Sequence, residues 1–246
     1  DPELMDLMRR SGCVLVYMGL ESSNPKALKA LNKGQTPEQI ERAVNVIHSY
    51  GINIHGMFIF GTDQDDASTI RGTLTFAKRL GIATVQFMLL TPLPGTPVFE
   101  KIRDEGRLLS EDWGYYDGHH VVFAPKGMTS LQLQKLTLKS MVRFYSLPQA
   151  LTKLNQFNIW AMIVRLYGWR VTRKTRRQMR GFVDHLRELY QHAGDGIATA
   201  RQDIQLHARK TTDDLKEYFR SINFDRIRRM KQERIDEWRA SRASAG

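Results

Sequence analysis

The stretch Cys13–Ser22, CVLVYMGLES, decides the fold. Six mostly apolar residues, Cys13–Met18, run into Gly19 and then into a carboxylate, Glu21. A short apolar run bounded by a turn former reads as a strand buried on both faces, and such strands belong to parallel sheets covered by helices. Glu21 then stands at the carboxyl end of its strand. Ligands bind at that edge in parallel sheets and barrels, because the loops leaving the strands converge there. The opposing reading makes Glu21 a helix cap or a solvated loop acid, and position alone does not separate the two.

The same grammar repeats on both sides. Pro2–Ser11 has helical apolar spacing and ends at Gly12, which feeds the first strand. Asn24-Pro25 opens a short helix through Leu31, and Thr36-Pro37-x-Gln39 opens another that Gly51 stops. A second strand, Ile52–Phe60, is closed by Gly61 and the acidic loop Thr62–Asp66; its helix runs from about Ala67 to Leu80. A third strand, Thr84–Leu90, empties into TPLPGTP at Thr91–Pro97, stiffened by three prolines, before a short helix at Val98–Glu105. Strands alternating with helices predict βαβ units and a parallel sheet. Three strands are too few for a sheet with two helical layers, so further strands are expected upstream of Asp1 or from another chain.

Composition divides the chain in two. Residues 1–128 carry 13 Lys/Arg against 15 Asp/Glu, whereas residues 129–246 carry 24 against 11. The expectation is an α/β domain over 1–128 and a basic helical extension over 129–246, whose field attracts phosphate groups. The single Cys13 excludes an intramolecular disulfide and fits a reducing, cytoplasmic setting. No secretory leader precedes it, and the opening on Asp1 reads as a cut through a longer protein.

Residues 106–128 read as a loop-rich connection with Trp113, Tyr115 and Tyr116 and a strand-like Val121–Phe123. Its pair His119-His120 lacks a carboxylate at ligand spacing, which argues against a metal. Thr129–Ser146 is a helix, with Pro148 as its stop. In Gln149–Arg170 the apolar core Ile159–Val164 is too short for a membrane span, which needs about 20 residues. Two readings stay open for it. Either it packs on the α/β part with its arginines solvated, or residues 157–180 make a peripheral membrane contact. Ile197–Arg242 alternates acids and bases with thin apolar spacing, an amphipathic pattern. No glycine-spaced aromatic motif or zinc-finger spacing supports nucleic acid as a partner.

Three strand ends supply one mouth: Glu21 and Ser22, Gly61 with Asp65, and Gln86 with the Thr91–Thr96 loop; Lys33 lies on the first crossover. No nucleophile with its base, GxxxxGK[ST] or complete GxGxxG appears. On residues alone this is a binding mouth for a polar, nucleoside-like cofactor, with catalytic residues unassigned.

GLESSNPKALKALNKGQT, HGMFIFGTDQDDASTI and LTPLPGTPVFEKIRDEGRL, in this order and at these separations, resemble the latter half of the radical SAM barrel. The likeness covers Asp1–Tyr145 and is nearest the group in which a cobalamin-binding domain precedes that barrel. It implies the C-terminal half of a TIM-like β/α barrel followed by the basic extension. It also implies that Glu21 and Lys33 face S-adenosylmethionine, with Ser22 beside them. Gly61 to Asp65 match the segment written GxPGET in that family. Here Asp63 and Gln64 replace its proline and glycine, and Asp65 stands for its glutamate. Thr91 and Pro92 match the sixth-strand exit. The family's CxxxCxxC loop, which holds a [4Fe–4S] cluster, is expected upstream, and Cys13 is in the wrong place for it. The resemblance therefore implies that the full-length enzyme cleaves S-adenosylmethionine reductively to a 5′-deoxyadenosyl radical, with cobalamin-dependent methyl transfer as an extension, and that this chain alone is inactive. The competing class is a non-catalytic α/β scaffold whose tail binds a membrane surface or RNA. The substrate is not legible in the sequence.

Overall fold

The structure, a computed structural model, describes residues 1–154 and 159–192. The tail pattern at Ile197–Arg242 lies outside the described residues. Strands β1 (Leu15–Glu21), β2 (Asn53–Phe60) and β3 (Thr84–Leu89) form one parallel sheet in the order β1-β2-β3. Helix α1 (Pro2–Arg10) precedes it. Helices α2 (Pro25–Ala30) and α3 (Pro37–Ser49) connect β1 to β2, and α4 (Ala67–Arg79) connects β2 to β3. The α/β class expected from the alternation is the one observed.

The helix starts follow the sequence signals. Asn24 accepts the Lys26 N–H at 2.9 Å, and Thr36 with Gln39 forms a capping box, the Gln39 side chain accepting the Thr36 N–H at 2.8 Å. Helix α5 (Pro97–Asp104) is capped by Thr96, whose hydroxyl accepts the Phe99 N–H at 3.3 Å.

The strands are not buried on both faces. In β2, Ile54, Phe58 and Phe60 are buried, whereas His55, Met57 and Ile59 between them are half-buried. The buried face packs with Ile40 and Val44 of α3, Ile70 and Leu74 of α4, and Leu133 and Phe144 of α6 (Ser130–Phe144) in one hydrophobic cluster. Rings of Phe58, Phe60 and Phe87 lie 5.3–5.5 Å apart in that layer. In β1, the outer strand, Tyr17 is 68% exposed. The apolar run at Cys13–Met18 is thus only partly covered: Val14 and Tyr17 are exposed, while Val16 and Met18 pack against the core. Val121–Phe123 contributes only an isolated antiparallel bridge, Phe123 to Leu108.

The helical part closes the β3 edge. A bare edge strand exposes main-chain donors and acceptors that need partners. The Tyr145 hydroxyl, just past α6, accepts the Val85 N–H and donates to the Val85 carbonyl, each at 2.8 Å. Burial pushes its pKa up to about 12, so the proton stays on the donor. At the far end of β3, Leu89 N–H donates to the Gly118 carbonyl at 2.7 Å. Arg165 of α8 (Ile159–Gln178) is 2% exposed and donates to the carbonyls of Ile82 (2.7 Å), Ala83 (3.2 Å) and Gln149 (3.1 Å). Its guanidinium lies 4.5 Å from the Phe144 ring centroid. Burial lowers the Arg165 pKa to about 10, which still leaves it charged at neutral pH.

Two sequence expectations change here. Pro148 does end α6, but it also sits in the first turn of α7 (Leu147–Leu154), where a missing N–H costs nothing. The stretch Gln149–Arg170, taken together in the sequence, is divided between α7 and α8; α8 runs on through the arginines to Gln178, and α9 (Arg180–His192) follows.

Gly168 in mid-α8 lets the Tyr145 ring approach, since a Cβ there would sit 2.3 Å from Tyr145 Cδ1. Gly→Ala within a helix ordinarily stabilises by about 1 kcal/mol. Gly168→Ala is expected to reverse that sign and cost about 1–3 kcal/mol through overpacking. Tyr145→Phe, which leaves the Val85 donor and acceptor buried without their partner, is expected to cost about 1–3 kcal/mol. Urea unfolding followed by circular dichroism measures both; unchanged midpoints refute the edge closure.

Candidate functional site

Glu21, Ser22, Gly61, Asp65, Thr91 and Pro92 stand at or just past the carboxyl ends of β1, β2 and β3, whereas Gln86 lies within β3, opposite Met57. The register between β1 and β2 slips at the carboxyl end of β1: Gly19 pairs with Met57 but Glu21 with Phe58. The slip coincides with Glu21 at φ 58°, a left-handed conformation that costs a non-glycine residue roughly 1–2 kcal/mol. Backbone cost at a strand end, next to an ion pair, marks a site held in place by its surroundings.

Glu21 Oε1 and Lys33 Nζ meet at 2.8 Å, with the Glu21 side chain 13% exposed and Lys33 38% exposed. Lys33 comes from the turn after α2, where Asn32 also has positive φ, 54°. Half-exposed pairs of this kind contribute about 1 kcal/mol or less to stability, so stability does not explain the bend. Gly19 lies beneath the pair. A Cβ at Gly19 would stand 2.6 Å from Glu21 Oε1 and 3.2 Å from Lys33 Nζ. The glycine that bounds the strand in the sequence is thus the floor on which the pair rests.

Ser22 is buried, and its hydroxyl accepts the Asn24 N–H at 3.0 Å, fixing the turn from β1 into α2. Asn24 Nδ2 in turn donates to the Gln64 carbonyl at 3.0 Å, which latches the β1 exit to the β2 exit. In that second loop Asp65 is 1% exposed, and its Oδ2 accepts the N–H groups of Gly61 (3.0 Å) and Thr62 (2.9 Å). Its Oδ1 is buried without a hydrogen-bond partner. Burial pushes the Asp65 pKa up, against the opposing hydrogen bonds from Thr62 and Gly61. Asp65 therefore holds its own loop, and its accepting oxygen is committed to the backbone.

The replacement Asp63 has a structural account. Its carboxylate bonds Lys101 Nζ at 2.7 Å and Arg107 Nη1 at 3.0 Å, tying the loop to α5 and the segment beyond it. Burial alone would raise the Asp63 pKa; Lys101 and Arg107 outweigh it and hold the carboxyl below its ordinary value. At the third exit Thr91 donates to the Leu89 carbonyl at 3.2 Å and Pro92 is buried. The structure thus brings Glu21 and Lys33 into contact and latches the loops of Ser22 and Asp65. It gives Thr91 no hydrogen bond to the pair; its hydroxyl goes to Leu89.

Sequence reasoning missed a cavity of about 660 Å³ beside β3, bordered by His55, Gln86, His120, Gln134, Met141 and Met179. Asp117 accepts from His120 Nδ1 at 2.9 Å. Burial would raise the Asp117 pKa, but the His119 N–H and His120 hold it below its usual value. The spacing Asp117-x-x-His120 was the available signal. Among the described residues no group of three His, Cys, Asp or Glu could hold a metal. Cys13 sits before β1, at the end of the strand away from Glu21, its sulfur 3.7 Å from the Leu15 carbonyl.

Residues 1–77 match the model of the radical SAM superfamily. The bacteriochlorophyllide d C-12(1)-methyltransferase of Chlorobaculum tepidum is 36% identical over 180 residues, which are 72% of this chain and 39% of that protein. The hopanoid C-2 methylase of Rhodopseudomonas palustris is 34% identical over 45% of this chain and 21% of its own. Among solved structures, the radical S-adenosylmethionine methyltransferase TsrM of Kitasatospora setae, with cobalamin and a [4Fe-4S] cluster bound, aligns with a TM-score of 0.39. It is 27% identical, over 43% of this chain and 21% of that one. The chain spans about two fifths or less of the length of the curated relatives it matches.

Asp65 carries a pH signature. Its folded pKa is raised above the ordinary 3.8, so folding takes up a proton between the two values, and stability at this residue rises as pH falls through that window. Asp65→Asn keeps an oxygen for the Gly61 and Thr62 N–H groups and removes the buried charge. It is expected to be at least as stable at pH 7 and to lack the rise. Thermal unfolding of both proteins from pH 7 to pH 4 decides this, and parallel profiles refute it.

Proposed function

Because the chain belongs to the radical SAM superfamily, we propose that its strand ends bind S-adenosylmethionine within a methyltransferase of that superfamily. One observation carries the reading. The left-handed Glu21, bonded to Lys33 over a glycine floor, lies in the matched segment at the edge where parallel sheets bind ligands. An adjacent carboxylate and ammonium match a ligand that itself carries both charges, as the methionine end of S-adenosylmethionine does. Most of the curated relatives are named methyltransferases or methylases, beside two cyclases, and this majority supports methyl transfer as the reaction class.

The residues present fit this cofactor and no cluster. Glu21 is placed for the cofactor's ammonium or ribose hydroxyls and Lys33 for its carboxylate, while Gly19 leaves room above the sheet. Ser22 and Asp65 act one step back, by fixing the turns that carry Glu21 and Gly61. Bound there, S-adenosylmethionine supplies a methyl group or, when reduced at an iron–sulfur cluster, a radical. The described residues offer that cluster no ligand set, and the one cysteine of this chain, Cys13, cannot supply three thiolates. Cobalamin as methyl carrier belongs to the same reading.

Glu21→Asn tests the assignment, since asparagine accepts a left-handed backbone more readily than glutamate and removes the charge. The variant is expected to melt no lower than the parent while binding S-adenosylmethionine at least tenfold more weakly by titration calorimetry; Lys33→Met is expected to weaken binding similarly. Gly19→Ala, which pushes the pair apart, should do the same without altering either charge. Unchanged affinity in all three removes the proposed role. With the full-length protein, anaerobic cluster reconstitution and detection of a methylated product decide the reaction class.

A further inference from the structure

The cations of the two parts of the chain are used differently. In the α/β part several are paired, Arg79 with Glu41, Lys101 and Arg107 with Asp63, Lys126 with Glu105, and acids balance the rest in number. Between α6, α8 and α9 they are not. A groove of about 660 Å³ has an apolar floor of Leu138, Val142 and Val183. Its walls are Lys135, Lys139 and Arg143 from α6, and Arg176, Arg180 and Arg187 from α8 and α9. Past Val142 it continues into a hollow of about 600 Å³ with Leu147, Trp169, Arg173 and Arg177. Asp184 is the one acid in either lining, and it is spent on Arg187. Among the described residues the other cations have no carboxylate within 4.0 Å. So many unpaired like charges in one concavity repel one another and focus a positive field.

Apolar groups stand beside this field. Ile163, Tyr167 and Val171 are spaced four residues apart on one face of α8 and are 57%, 69% and 42% exposed. Arg170 and Lys174 lie along the same face, and Leu151 of α7 is 56% exposed. Nucleic acid asks for cations and stacking rings but has no use for exposed Ile, Val and Leu. An anionic bilayer takes both, phosphates against the cations and acyl chains against the aliphatic groups. No helix among the described residues is long and apolar enough to cross a membrane, so the contact lies in the interface.

We propose that the α6–α8–α9 groove and the outer face of α8 dock this chain on an anionic lipid surface, with lipid phosphates held by Lys135, Lys139, Arg143, Arg176, Arg177 and Arg180. This inference is independent of the methyl-transfer reading, since none of these residues belongs to the strand-end site.

The test is cosedimentation of the full chain with vesicles of phosphatidylcholine alone or with about one third phosphatidylglycerol, at low and high salt. Binding is expected only to the anionic vesicles and to weaken steeply with salt, because each cation near such a surface multiplies partitioning by about five. Arg176→Gln/Arg177→Gln/Arg180→Gln and, separately, Lys135→Gln/Lys139→Gln/Arg143→Gln are each expected to lose at least tenfold. A control with the same charge change on the α/β part, Arg9→Gln/Lys29→Gln/Arg42→Gln, is expected to stay within about twofold. Equal binding to neutral vesicles, no binding to anionic ones at low salt, or an equal loss in the control overturns the proposal. So does preferential, variant-sensitive binding of a single-stranded RNA offered in competition.

Discussion

One residue of the sheet, Val85, exchanges both its main-chain hydrogen bonds with a single side chain, the hydroxyl of Tyr145. The rest of the arrangement depends on that exchange. A parallel strand at the margin of a sheet has main-chain groups that another strand would otherwise satisfy. Here the helical part satisfies them near the start of β3, with Tyr145 at Val85 and Arg165 at the carbonyls that lead into the strand. The extension is therefore part of the sheet's hydrogen bonding as well as of its core, which runs without a break from Leu20 to Leu186.

Closing that edge also sets what lies beside it. With α6 and α8 drawn onto β3, the half-buried face around His55 and Gln86 becomes one wall of a cavity, and α6, α8 and α9 are left with a basic groove behind them. Two different surfaces follow from one anchoring. One lies beside the first half of β2 and β3 and mixes His55, Gln86 and His120 with methionines and valines; the other is apolar-floored and strongly cationic.

At the strand ends, geometry is bought with strain. Glu21 adopts a left-handed conformation and shifts the β1–β2 register to stand over Gly19, where Lys33 meets it. The neighbouring loops show how such a bend persists: Ser22 holds the next turn, Asn24 crosses to Gln64, and Asp65 folds its own loop with one carboxylate oxygen. Asp63, an unexpected residue in that loop, replaces a stiff turn by ion pairs to Lys101 and Arg107.

Sequence alone determined the local features. The apolar runs ended by glycine, and the caps Asn24 and Thr36, are written in neighbouring residues, because caps, turns and strand ends depend on a few positions at fixed spacing. It also gave the charge split between the two parts. Only tertiary structure decided what depends on distant residues meeting. Only the fold shows that Gly61 and Thr62 occupy one oxygen of Asp65, and Arg165 reads as one of many solvated arginines until it is found under 3% exposed against three carbonyls. The apolar strands read as buried on both faces, since hydrophobicity records what a residue tolerates, while the layer that covers it is set by the fold.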